Sequence, residues 1–152
     1  MKKFEFTGET KTISLFFRTA TLHRIRAVAE FGLVKIGDLG GWIEKEENLS
    51  HEGKAWVWGD AEVCGDAKVF SASHVLVIGA IGSRDDFTTF FRDKDNEITV
   101  KCGCFLGKID KFLEKVTQTH GDSKYALVYR AAVEVARLQI DLSGEAPKDA
   151  DE

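Results

Sequence analysis

The sequence predicts a mainly β fold with C-terminal helices, an α+β chain organised around a short hexapeptide β-solenoid. Three patterns lead there. The stretch KAWVWGDAEVCGDAKVFSASHV, residues 54–75, counts in sixes. Phe4 and Phe6, then Ile13, Leu15 and Phe17, alternate with the two-residue period of strands. Beyond Gly107 the spacing changes to Ile109, Phe112, Leu113 and Val116, one face of a helix.

The N-terminal segment, residues 1–33, is expected to form a hairpin-like β cap, with a further strand or short helix supplied by Leu22, Ile25 and Val28. Arg18, His23, Arg24 and Arg26 make it the most basic part of the chain. They read either as the wet face of strands or as an anion-contacting patch.

Residues 34–82 carry the six-residue register. Val57, Val63, Val69, Val75 and Ile81 form one column, and Ile43, Leu49, Ala55, Ala61, Ala67 and Ser73 another. Gly53, Gly59 and Gly65 recur at the corners. Helices need spacings of three and four, whereas short strand pieces ended by glycine corners fit a solenoid whose coils bury one another. The stretch is too short for three coils of about 18 residues each, so the stack is expected to be capped or completed by neighbouring chains, as a homo-oligomer. Trp58, Cys64, Phe70 and Leu76 form an outward bulky column that such an assembly would cover.

Residues 83–142 predict a ββαα module. The strands fall near Thr88–Arg92 and Ile98–Cys102, joined by the turn-rich run from Asp93 to Asn96. The first helix closes at His120-Gly121. Asp122 or Ser123 caps the second, whose expected buried stripe is Val128, Ala132, Val135 and Leu138. Residues 143–152, with Glu145, Asp149, Asp151 and Glu152 beside Pro147, read as an acidic flexible tail.

Composition narrows the function classes. At 152 residues and 43% hydrophobic content, the chain holds one ordinary domain or two small units sharing a core. A net charge of −4 argues against general nucleic-acid binding, which needs a summed positive field. The longest apolar run, Val75–Ile81, is too short for a bilayer. Three cysteines and no leader-like start lead us to expect a cytoplasmic protein without membrane contact.

Several residues could carry chemistry. Gly82-Ser83-Arg84 followed by Thr88, Thr89, Phe90 and Phe91 is the favoured ligand-binding set. Its arginine offers a planar fork to a phosphate, its hydroxyls add hydrogen bonds, and an aromatic ring can stack on a base. Gly103 and Gly107 could let backbone amides approach an anion near a helix start, or serve turn geometry alone. His120 and Tyr125 bracket the turn between the helices, as a helix end or as ligand contacts. Cys102 and Cys104 could supply two zinc ligands only if Cys64 and His120 joined them; two small thiols at a buried strand end is the preferred reading. His74 and His51 raise an acyltransferase, for which the coils are too few; exposed polar positions are expected instead. Trp42, Trp56 and Trp58 read as core or interface. No metal and no cofactor is called for.

The motifs KKFEFTGETK, LHRIRAV, GDLGGWIEKEENLSHEG and AWVWGDAEVCGDAKV, followed by IGSRDDFTTFF, CGCFLGKIDKF and THGDSKY, resemble a family of phage and prophage proteins. In that family a hexapeptide stretch precedes the same C-terminal module. The resemblance implies a phage-encoded accessory protein acting in a bacterial host. It is also loosely similar to phage anti-defence sponges, which bind and sequester a nucleotide immune signal such as a cyclic nucleotide. The alternative is a protein-binding inhibitor of a host defence factor, anti-CRISPR-like, with a hexapeptide acyltransferase behind it.

Overall fold

The computed structural model describes residues 2–144. The expected acidic tail therefore lies almost wholly outside the described residues. Two four-stranded sheets and two helices make up the fold, and no solenoid or β-helix is present among the described residues.

The first sheet begins with β1 (Phe4–Ser14) and β2 (Thr19–Ala27), a long antiparallel hairpin. Its register slips between Phe6 and Thr10, where Gly8 adopts a φ of 95°. β3 (Leu39–Ile43) runs antiparallel to β2, and the two-residue β4 (Glu62–Val63) runs parallel to β3. The period-two expectation holds only to Ser14: Phe16 and Phe17 lie in the hairpin turn and are exposed.

The six-residue columns mark depth rather than coils. Ala55, Val57, Ala61, Val63, Ala67 and Val69 are all buried, together with Ile43 and Leu49. Apart from Ile43 pairing with β2, their strand pairing among the described residues is β4 on β3 and single bridges from Leu49 to Val69 and from Ala67 to Asp93. A solenoid needs every strand piece to be paired with the coil above and below. Here one layer of parallel contacts is closed on either side by antiparallel strands, so no stack propagates. Asn48 takes over much of the bonding: its Oδ1 accepts from the amides of Glu44 and Lys45, and its Nδ2 donates to the carbonyls of Gly65 and Ala67. The outward column also dissolves. Trp58 and Phe70 are exposed, but Cys64 is fully buried with Leu22 and Trp42, and Leu76 packs under the helices.

The second sheet is an antiparallel meander of β5 (Val75–Ile81), β6 (Asp86–Arg92), β7 (Ile98–Cys102) and β8 (Phe105–Lys108). Two of these match the expected strand positions. β5 was expected to continue the repeat, and β8 was not foreseen, so four strands rather than two precede the helices. α1 (Ile109–His120) and α2 (Lys124–Gln139) cover one face of the sheet. Ser123 sits at the N-cap of α2 without a side-chain cap bond. The buried stripe of α2 is Ala126, Tyr129, Ala132, Val133 and Ala136, while Val135 and Leu138 are exposed. The expected stripe was therefore rotated about the helix. On the opposite face of the sheet, Val75, Val77 and Phe91 pack into the core of the first sheet.

Glu62 joins the two sheets. Its carboxylate lies 2.9 Å from the Nζ of Lys101 on β7 and 2.7 Å from that of Lys11 on β1. Its backbone amide donates to Thr89 Oγ1 on β6 at 3.0 Å. Burial pushes the Glu62 carboxyl up, but the two ammonium groups overcome this and hold it below its ordinary value. Lys101 is only 5% exposed, so removing its counter-charge leaves a buried cation uncompensated. Glu62→Gln is expected to cost about 3 kcal/mol in denaturant unfolding at neutral pH. Because the folded pKa lies below the unfolded 4.5, this stabilisation is complete above that value and is lost as the pH falls through the folded pKa. Wild-type stability should drop across that acid window, and the variant's should drop less.

Candidate functional site

The β5–β6 turn, residues 82–85, is tight. Gly82 has a φ of 79° and Asp85 a φ of 49°, and the Asp85 amide donates to the Gly82 carbonyl at 3.3 Å. Tyr129 from α2 lies against this turn. A Cβ on Gly82 would fall 1.8 Å from the Tyr129 hydroxyl oxygen, so the close approach excludes any side chain there. Burial, then the neighbouring Cys102 thiol, pushes the Tyr129 phenol up to about 12, which keeps it a neutral hydrogen-bonding group.

The β7–β8 turn has Gly103 and Cys104 between the paired Cys102 and Phe105. Gly103 takes a φ of 57°, the positive value that a two-residue hairpin asks of its first central residue in a type II′ turn. The β1–β2 turn docks here, the Phe16 amide donating to the Cys104 carbonyl at 3.1 Å. Three turns and two helices thus converge on one cavity of about 210 Å³.

The wall of this cavity is aromatic. Phe105 and Phe112 have ring centres 5.5 Å apart, Phe112 meets Tyr129 edge-on at 5.7 Å, and His120 stacks on Tyr129 at 5.6 Å. Arg84 from the first turn and Lys115 from α1 also line it, with Asp86 as the one carboxylate. The Lys115 ammonium lies 4.9 Å from the Phe16 ring centre. Arg84 differs from five of the other arginines: Arg18, Arg24, Arg26, Arg130 and Arg137 each sit on a carboxylate, whereas Arg84 is exposed and forms no ion pair among the described residues.

The structure brings Ser83, Arg84, Gly103 and His120 together in this cavity. It does not bring Thr88, Thr89, Phe90 or Phe91, all of which are buried. Thr88 contacts the Cys102 sulfur, Thr89 accepts from Glu62, Phe90 packs under the helices and Phe91 joins the first-sheet core. Both faces of β6 are covered, so none of the four can meet a ligand. Gly107 lines a separate depression beside Arg18 and Lys108. Tyr125 tilts against His120 at 5.7 Å but forms no part of the cavity wall. Phe16, Phe105, Phe112, Lys115 and Tyr129 were not foreseen in the site; the adjacent Phe16-Phe17 pair, which breaks the strand alternation, was the available signal.

The other candidates take structural positions. His74 is buried, and its Nδ1 accepts from the amides of Phe70 and Ser71, so it is not the exposed outward residue expected. Burial, then the charge of Arg92, pushes its pKa down. His51 stacks on Phe4 at 4.1 Å and accepts from the Lys3 amide. Trp42 and Trp56 are buried, whereas Trp58 is half exposed. The N-terminal basic patch is neutralised: Arg18 grips Glu44 through both oxygens, Arg24 and Arg26 pair with Glu9 and Glu5, and His23 stacks on Phe6. Among the described residues no group of three or more His, Cys, Asp or Glu side chains is placed to hold a metal ion. No helix among them is long and apolar enough to cross a membrane.

No family model, no curated protein and no solved structure matches the chain.

Gly82→Ala tests how the site is built. The added methyl group must displace Tyr129 or the turn, at a cost of about 1–3 kcal/mol. A lowered denaturation midpoint with altered near-ultraviolet tyrosine dichroism is expected; a variant with unchanged midpoint and dichroism would show that the turn does not brace the ring.

Proposed function

We propose that the chain is a binding protein for an anionic small molecule of the nucleotide class. The observation that carries this reading is Arg84, a guanidinium without a carboxylate partner at the rim of an aromatic-walled cavity, with Lys115 beside it. An unneutralised arginine offers two parallel N–H donors to a phosphate, and Lys115 adds a second positive charge. Phe105, Phe112, Tyr129 and His120 provide flat surfaces for a ring, and the Ser83 hydroxyl and the Gly103 backbone supply polar contacts.

The cavity size refines this. Sites that engulf a drug-sized ligand run to roughly 300–1,000 Å³, and this one holds about 210 Å³. It therefore takes one ring of the ligand and leaves the phosphate and any second nucleoside at the mouth. A cyclic nucleotide immune signal meets that description, and a phage-encoded protein that sequesters one is the biological role we assign. Sequestration requires affinity alone, without turnover.

A thermal-shift panel of cyclic dinucleotides, cyclic trinucleotides and cyclic ADP-ribose-type compounds tests the reading. A ligand in hundredfold excess over its Kd adds about 2.7 kcal/mol to stability, so the binding class should raise the melting temperature and be recovered intact. Arg84→Ala should weaken that ligand about tenfold or more, the loss of one charge-assisted hydrogen-bond pair, while leaving the unliganded melting temperature unchanged. No shift across the panel, or an Arg84→Ala variant that binds as the wild type does, overturns the proposal.

A further inference from the structure

We propose that β5 is the seam of a homodimer, pairing antiparallel with the same strand of a second copy. The strand order places β5 at an edge of the second sheet. Among the described residues, no backbone hydrogen bond joins Val75–Ile78 to anything outside β6. Every second N–H and C=O along this stretch therefore points away from the sheet with no backbone partner among the described residues.

Exposed edges are ordinarily guarded by charge, proline or brevity. β1 carries Glu5, Glu9 and Lys11, β4 has two residues, and β8 ends in Lys108. β5 reads VLVIGAI, without a charge or a proline. Its side chains face two cores, Val75 and Val77 toward the first sheet and Leu76 and Ile78 under the helices. Yet all four stay only half-buried, whereas Phe90, Phe91 and Val100 on the inner strands are sealed. The shortfall in cover lies along the edge.

A second copy suits this edge better than an unrelated strand. A two-fold axis normal to the sheet through Val77 sets Leu76 opposite Ile78 and Val77 opposite itself. That register keeps each residue on its own face and places no charge against another. α2 extends the same surface. Arg130 reaches Thr117, Gly121 and Asp122, so that side of α2 faces α1. At 100° per residue, Val128 and Val135 fall on the other side, above β5, and Val135 is 46% exposed. The two α2 helices would then meet over the seam, and the binding cavities would lie away from it at the Ser83 turns.

Sedimentation over a concentration series, combined with amide exchange of residues 75–78, tests the proposal on the full chain. The expected result is a species of twice the 16.9 kDa chain mass, with exchange at 75–78 slowing about tenfold or more as it forms. Val135→Lys should weaken association about tenfold or more at an unchanged unfolding midpoint of the monomer. Should that variant fail to fold, exchange in the wild-type chain decides. A monomer at every concentration overturns the proposal, as does a dimer with unchanged exchange at 75–78. A monomer already protected at 75–78 would put another segment of this chain on the edge, and overturns it too.

Discussion

The carboxylate of Glu62 lies between Lys11 on one sheet and Lys101 on the other, and the relative position of the two sheets depends on it. The attraction needs company to be worthwhile, because taking charges out of water costs several kcal/mol for each ion. The Glu62 amide bonded to Thr89 and the packing of Val75, Val77 and Phe91 into the first-sheet core supply it. Through this joint the β1–β2 turn reaches the β7–β8 turn, where the Phe16 amide finds the Cys104 carbonyl. Without that meeting the cavity loses Phe16 from its rim, and Lys115 loses the ring it lies over.

Many of the charged side chains are paired with a carboxylate at short range, and among the described residues Arg84 is not. Several arginines and lysines of the first hairpin and the second sheet are matched by carboxylates at short range: Arg18 by Glu44, Arg26 by Glu5, Lys108 by Asp93 and Asp95. Such pairs fix geometry and offer little to an outside anion, so the basic N-terminal run has no spare field. Arg84 stands apart because its turn is held by backbone bonding and by the Tyr129 ring, leaving the guanidinium without structural duty. Positive charge left over in an acidic protein is informative in a way that total charge is not.

The order of elements was legible where period and punctuation agreed. β6, β7, the end of α1 and the start of α2 follow from alternation, a turn-rich run and Gly121. From Ile43 to Val69 the two inward columns mark buried positions, whereas Ser73, Val75 and Ile81 are only half-buried and Cys64 of the outward column is buried. They could not reveal what pairs with what, because a side chain's depth is independent of the partner its backbone chooses. α2 carries two apolar stripes, and only packing against β5 and α1 decides which is inside. Within the site, Arg84, Ser83, Gly103 and His120 were visible as residue types suited to a ligand. Thr88 to Phe91 were misplaced because coverage of both faces of β6 depends on the first sheet, which no local pattern encodes. Phe112 and Tyr129 were hidden in the helical period, where a cavity wall and a core position look alike.

The hydrogen bond from Phe16 to Cys104 closes a loop that spans most of the β-rich chain. Contacts of such long sequence separation carry a large closure entropy and tend to form late. The cavity is complete only when both hairpin turns have met, and closure entropy predicts that this meeting comes late in folding. A ligand held there stabilises what the transition state has not yet built, so its effect falls on the rate of unfolding rather than of folding. If the cavity holds a ligand as proposed, occupancy then lengthens the lifetime of the folded chain.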